Sequence, residues 1–386
     1  MCATTSGNQA AGKKGIIDIP PNTVPVPPGN SLQKYLEKAY AEAIGAGKLG
    51  TQPADDSVAK LHVPISLFAH VRTGSGHHYA GIHDDEVHFS ASLMKVAAMY
   101  AAFSLRAEAR KLAAPGGFAN EGAFIAALKL KFKSTDAVPS IQSAGVGLEP
   151  RYLDVLKVTG FGGGTLQVEF NPSFVSHMSQ MIVPSNNASA GECIRRLGYA
   201  YINVKLMNGG FYDRTTSKGI WLAADFVGGT RVEIDSVNDG KVAQATTSRQ
   251  MARFFSLIQL GTMIDESLLD PALRTSNTEM KALLKEAHGV DAAWISKFGP
   301  RRFDFEGVKV GLANLKPNTP PKGEDVYSEG ILLKWNADPA PLPHNLSGDI
   351  AVCWQNLRKG AFDTGVPAIA EMIEKAFSNF LNQTPV

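Results

Sequence analysis

The chain has few of the features that would place it in a membrane, on nucleic acid or in a disulfide framework. Its three cysteines, Cys2, Cys193 and Cys353, are too few and too scattered to build disulfide pairs or a zinc site. Cys193 and Cys353 sit in apolar-patterned segments and read as buried structural thiols. A net charge of +2 leaves no clustered basic face for nucleic acid or an anionic membrane surface. No run approaches the roughly 20 apolar residues of a membrane span. Met1–Asn30 lacks an apolar signal core, is rich in Gly, Pro, Ser and Thr, and reads as a flexible leader. Cys2 ahead of small polar residues leaves a lipid-anchored start open, with a chance cysteine the plainer reading.

A hydrophobic fraction of 44% with 19% charged residues over 386 positions describes a globular chain with ample core. That length implies one large domain or two interleaved ones. Helical spacing marks Leu32–Gly47, and β-formers mark Val63–Val71 and His77–Ile82 as a hairpin across Thr73-Gly74-Ser75-Gly76. A helix is expected from Leu93 to Lys111, stopped by Pro115-Gly116-Gly117. Helical patterns, among them Glu121–Phe132, Ser173–Ile182, Ala188–Leu197 and Ser248–Gly261, then dominate to about residue 300, with the glycine-rich Val158–Phe170 as a β-turn or loop insertion. Strand character returns at Phe305–Val310, Gly330–Trp335 and Asp349–Trp354, before a last amphipathic helix at Val366–Leu381. The order predicts an α+β fold. An antiparallel sheet domain (31–92 and 300–386) is flanked by the first and last helices, with an all-helical domain (93–299) inserted between its second and third strands.

Three short patterns carry chemistry. Ser92-Leu93-Met94-Lys95 places a hydroxyl and an amine three residues apart, on one face of a helix. A serine hydroxyl is a poor nucleophile until a neighbour takes its proton, and a lysine in a partly buried pocket can do so. Ser185-Asn186-Asn187 follows the apolar run Met181-Ile182-Val183 and enters a helix, and Lys309-Val310-Gly311 lies on the first late strand. Singly each pattern is weak. Their order and secondary context are what make them specific.

With these motifs the sequence resembles the serine β-lactamase and penicillin-binding protein superfamily, over roughly residues 32 to 384. Ala245–Ala252 is similar to the family's Thr-Thr-x-x-x-Met-Ala helix, and Gly348–Val352 to its penultimate strand. The resemblance implies that Ser92 is the acylated nucleophile and Lys95 its base. It makes Ser185 the proton donor to the leaving nitrogen and Asn187 a ligand of Lys95 and of the substrate amide. Lys309 would supply positive charge to Ser185 and to a substrate carboxylate. The N–H groups of Ser92 and Leu312 would form the oxyanion site, beside Gly311. Two lysines near one serine would also lower each other's pKa. The implied chemistry needs no metal and no cofactor, and its partner is a small-molecule or peptide acyl substrate. An exported, periplasmic setting is favoured by the family's usual role, with a cytoplasmic one left open, as is the oligomeric state.

Two departures matter. Val310 stands where the family usually has Thr or Ser, so a hydroxyl that holds the β-lactam carboxylate is missing. No Glu-x-x-Leu-Asn motif, which would activate the deacylating water, lies between Asn187 and Thr246. Glu233 and Asp235 fall in that region and read as solvated loop charges. The expectation is a serine hydrolase forming an acyl-enzyme on Ser92 from an amide or ester, such as a β-lactam or D-alanyl peptide. The alternative is a penicillin-binding or sensing protein that is acylated without efficient turnover. His77, His78, His83 and His88 lie along the predicted hairpin without a recognised ligand motif and read as exposed polar positions.

Overall fold

The computed structural model describes residues 31–51, 54–71, 76–133, 136–145, 147–162, 164–287, 303–316, 324–335 and 348–383. The predicted leader, with Cys2, lies outside the described residues. The chain starts with helix α1 (Ser31–Gly45) and the hairpin β1 (Ile65–Val71) and β2 (Gly76–Ile82). A two-residue strand, β3 (His88–Phe89), and a 3-10 turn (Ala91–Met94) lead into α2 (Lys95–Ala113). Next come α3 (Glu121–Lys129), α4 (Pro139–Ala144), α5 (Tyr152–Val155), the hairpin β4 (Leu156–Thr159) and β5 (Gln167–Phe170), α6 (Pro172–Ile182), α7 (Asn187–Leu197) and α8 (Tyr199–Asn208). Short strands follow: β6 (Tyr212–Asp213), β7 (Lys218–Gly219), β8 (Trp221–Leu222), β9 (Ile234–Ser236), β10 (Gly240–Val242) and β11 (Gln244–Thr246). Then come α9 (Ser248–Gln259) and α10 (Ser276–Glu286), the long strands β12 (Phe303–Asn314), β13 (Asp325–Trp335) and β14 (Gly348–Arg358), and the C-terminal helix Phe362–Gln383.

The fold is α+β, with an antiparallel five-stranded sheet in the order β12-β13-β14-β1-β2. The block between β2 and β12 therefore leaves the sheet at one edge and returns at the other. It is not all-helical as expected, since β3 to β11 form four small sheets within it. The glycine-rich stretch after Val158 is the turn of the β4–β5 hairpin, where Gly160 takes φ +91.

Side-chain alternation assigns the two faces of the main sheet. Ser66, Cys353 and Gly330 are register partners on one face. Ser66 Oγ meets Ser248 Oγ at 2.9 Å, and a methyl group on Gly330 would strike the Phe255 ring at 2.4 Å, so α9 lies against this side. The opposite face carries Trp335, stacked edge-on to Phe377, and His78, packed on Phe380, so the C-terminal helix covers it. Helix α1 packs beside that helix and β2. Cys193 and Cys353 are both buried free thiols, as their apolar surroundings in the sequence imply.

Helix α2 is rich in alanine, the best helix former, and almost every residue in it is buried. Its start differs from the expectation. Ser92 sits in the 3-10 turn and Lys95 is the first α-helical residue. In a 3-10 turn positions i and i+3 eclipse, which brings Ser92 and Lys95 to one side. Three of the histidines also differ: His88 is fully buried and His78 and His83 are half-buried, rather than exposed.

Candidate active site

The turn that carries Ser92 is fixed from three directions. Ser90 N donates to Gln244 O (3.0 Å), and Ser90 Oγ donates to His88 O (3.0 Å). Gln355 on β14 donates to Ser90 Oγ (2.7 Å) and to Thr246 O (3.1 Å). Strand β12 passes so close that a methyl group on Gly311 would lie 2.1 Å from Ser90 O and 2.8 Å from Leu93 N. Glycine is required there by contact, not by backbone angle. Ala91 adopts φ +42, a left-handed conformation uncommon outside glycine, immediately before Ser92.

Ser185 is held by the junction of two helices. Helix α6 ends at Ile182, and Asn186 caps α7 by accepting from Ser189 N (2.9 Å). Between them Ser185 takes φ +59, so it precedes the helix instead of opening it. That bend points both its carbonyl and its hydroxyl at Lys95. Lys95 Nζ donates to Ser185 O (2.5 Å), Ser185 Oγ (3.1 Å) and Asn187 Oδ1 (2.7 Å). The carbonyl and the carboxamide oxygen can only accept, whereas the hydroxyl can reverse its role. A neutral Lys95 can therefore receive the Ser185 proton without losing its other two partners. Among the described residues no hydrogen bond joins Ser92 Oγ to Lys95. Hydrogen bonds of this kind are often long before substrate arrives.

Lys95 is 0% exposed, and burial lowers its pKa from 10.5 to about 8. Lys309 is 2% exposed, and burial, followed by the charge of Lys95, lowers it to about 7. Its Nζ donates to Ile182 O (2.7 Å), one of the carbonyls left without a partner at the end of α6. The lysine thus anchors β12 to the Ser185 turn from behind. Val310 packs against the main core.

A cleft of about 350 Å³ opens over this assembly. Ser92, Asn187 and Leu312 border it, together with Arg231, Lys241 and Lys316. Leu312, 46% exposed, lies on β12, an edge strand of the sheet among the described residues. A larger cavity, about 890 Å³, lies against Glu108 on the far half of α2, Lys205 on α8 and Arg253 on α9, and none of Ser92, Lys95, Ser185 or Lys309 borders it.

Sequence spacing gave no sign of Phe226. Its ring centroid is 4.9 Å from Lys95 Nζ, and it takes φ +66 to reach there. The neighbouring Asp225 also borders the cleft, and its carboxylate accepts from Arg195 (2.9 Å). Glu233 borders the cleft but is exposed, as is Asp235. Among the described residues no carboxylate touches Lys95.

No family model and no curated protein matches the chain. Its fold is similar to solved structures of a β-lactamase from Chitinophaga pinensis (11% identity, 91% of this chain and 99% of that one, TM-score 0.47) and one from Xanthomonas campestris pv. campestris (16%, 90% and 98%, 0.46). It is also similar to PBP-A (13%, 94% and 99%, 0.43). At this identity and superposition the likeness names no reaction, which must come from the chain's own residues.

Proposed function

We propose that this chain is a serine acyl-transfer enzyme in which Ser92 Oγ attacks an amide or ester carbonyl, with β-lactams and D-alanyl peptides the leading substrate classes. The observation that carries this reading is the buried amine of Lys95, lowered to about 8 and held by Ser185 and Asn187 beneath a cleft that Ser92 borders. In the proposed reaction the Ser92 proton passes to neutral Lys95 as the Oγ–carbon bond forms. The oxyanion lies against the N–H groups of Ser92 and Leu312. As the acyl–nitrogen or acyl–oxygen bond breaks, Ser185 Oγ gives its proton to the leaving atom and is recharged from Lys95.

Phe226 favours a long-lived adduct. Deacylation needs a water with a base beside it, and an apolar ring stands over Lys95 where a carboxylate could have activated one. Acylation without rapid turnover is the form of the activity this geometry supports best. Intact-mass spectrometry over time, after mixing with a panel of penicillins, cephalosporins and nitrophenyl esters, tests both parts. The expected result is one adduct per chain, mapped to Ser92, persisting for minutes or longer and absent from Ser92→Ala. Labelling that persists in Ser92→Ala would end the proposal.

A further inference from the structure

The cavity of about 890 Å³ takes no part in the chemistry at Ser92, and it holds a cation without a countercharge. Two helices wall it with residues at helical spacing, Tyr100, Ser104 and Glu108 from α2 and Arg253 and Leu257 from α9. The loop after α9 adds Met263 and Ile264, both buried. Arg253 is built in at one end. Its guanidinium carbon lies 4.8 Å from the centroid of the Phe211 ring, which packs edge-on to Tyr100 and Phe254 at 5.6 and 5.2 Å. Arg253 Nη1 donates to the carbonyls of Gly209 (3.1 Å) and Gly210 (2.9 Å) at the end of α8. Stacking on one face and two bonds at one corner fix the guanidinium plane before any ligand arrives.

The other charges on the cavity wall are committed. Lys205 donates to Glu108 in close contact, and Lys111 lies 3.9 Å from Asp265. Glu266 accepts from Ser276 N (3.1 Å) and Ser276 Oγ (2.6 Å). Arg274 donates to the carbonyls of Leu269 (2.9 Å) and Ser267 (3.0 Å). Among the described residues Arg253 meets no carboxylate, and its Nε and Nη2 have no protein partner. Closing the end of α8 uses Nη1 alone, so it does not account for the rest of the group. Nε–H and Nη2–H point the same way, as the side-on fork that matches the two oxygens of a carboxylate. Half-buried and short of a countercharge, the guanidinium gains more from an anion there than a solvated one would.

We propose that this cavity is a second ligand site, taking an apolar organic acid whose single carboxylate lies side-on to Nε and Nη2 of Arg253. Its apolar body runs along Leu257, Met263 and Ile264, in a volume suited to a small organic molecule. One uncommitted cation balances one negative charge, which favours a carboxylate over a phosphate dianion. The proposal is independent of acyl transfer, because none of Ser92, Lys95, Ser185 or Lys309 borders the cavity.

The test is isothermal titration calorimetry of the full chain with benzoate, phenylbutyrate and octanoate, each beside its neutral primary amide, and with inorganic phosphate. Expected is one equivalent of at least one acid, bound about tenfold or more tighter than its amide and tighter than phosphate. Arg253→Gln keeps an N–H donor for the α8 carbonyls while removing the charge and the fork, and should bring acid and amide to equal affinity. Arg253→Lys keeps the charge without the fork, and should narrow the gap by about threefold or more, which carries the test if Arg253→Gln does not fold. Arg231→Ala, at the Ser92 cleft, should bind as the parent does. The proposal is overturned if no acid binds the parent at millimolar concentration, or if phosphate binds as tightly as the best acid. It is also overturned if the acid–amide gap stays parental in the Arg253 variant that folds, or if the gap is lost in Arg231→Ala, which would put the acid in the Ser92 cleft.

Discussion

Acylation of Ser92 should peak near pH 7.5 and fall on both sides, because the chemistry that the sequence resemblance implies asks two buried lysines for opposite charges. Lys95 must be neutral to take a proton, while Lys309 is most useful charged. Burial lowers Lys95 to about 8, and burial with the charge of Lys95 lowers Lys309 to about 7. At about pH 7.5 each lysine taken alone is then in the required form in roughly a quarter of molecules, and both together in at least roughly 6%, since a neutral Lys95 no longer lowers Lys309. At about pH 5.5 or 9.5 the joint fraction is roughly 0.3%, a fall of about twentyfold on either side. The assay is the second-order acylation rate, by stopped flow or timed mass spectrometry, with whichever panel compound labels Ser92. Lys309→Met should lower the rate and abolish the alkaline limb while keeping the acid one. Rates that keep climbing to pH 10 would mean a lysine near its ordinary 10.5, and would refute the burial argument. An alkaline limb that survives in Lys309→Met would refute the assignment of the second lysine. The same shifts set a stability trend. Both folded-state values lie below 10.5, so the folded state binds fewer protons than the unfolded one between them. The lysines' contribution is full above 10.5 and is lost as pH falls through 8 and 7, so the urea midpoint should rise from pH 7 to 9 and less so in Lys309→Met.

Gly311→Ala puts a methyl group 2.1 Å from Ser90 O with backbone on both sides, which should cost about 1–3 kcal/mol in urea unfolding and slow acylation as the Ser92 turn is displaced. Asp84 accepts both Arg249 Nε and a terminal nitrogen at 2.8 Å in the interior, so Asp84→Ala strands a buried guanidinium and should cost about 3–5 kcal/mol. Unfolding within 1 kcal/mol of the parent would show that pair to be solvated. Phe226→Glu exchanges the ring over Lys95 for a carboxylate, and should shorten the adduct's lifetime about a hundredfold, at the low end of what a positioned base supplies. Adduct decay at the parental rate in that variant would remove Phe226 as the cause of slow release.

What could be read from the sequence, and what could not, follows the range of the contacts. The long strands, the first and last helices and the helices at Glu121, Ser173, Ala188 and Ser248 were legible because each is an amphipathic or β-forming run whose period repeats locally. The two-residue strands β6, β7 and β8 were not, because their extended backbone is imposed by partners and not by propensity. In the site, Ser92 and Lys95 are neighbours on one turn, so their spacing announced them. Ser185 and Asn187 were named by their motif, but the left-handed bend at Ser185 between two helices, which turns them to Lys95, is a conformation that its residue type does not signal.

Phe226 and His62 mark where short motifs run out. Each makes a contact closed by tertiary structure, Phe226 with Lys95 across 131 positions and His62 with His83 across 21. The consequence is chemical. A motif reports which groups attack, since nucleophile and base must lie within a few ångströms and are cheaply held by one turn. It is silent on how the product leaves, since a water, a ring or a carboxylate can be brought over the same lysine by any loop that happens to pass. Here the loop at residues 224–229 passes with its acid on Arg195 and its ring by Lys95, and under the proposed function that choice of side chain, not the motif, would set the lifetime of an adduct on Ser92.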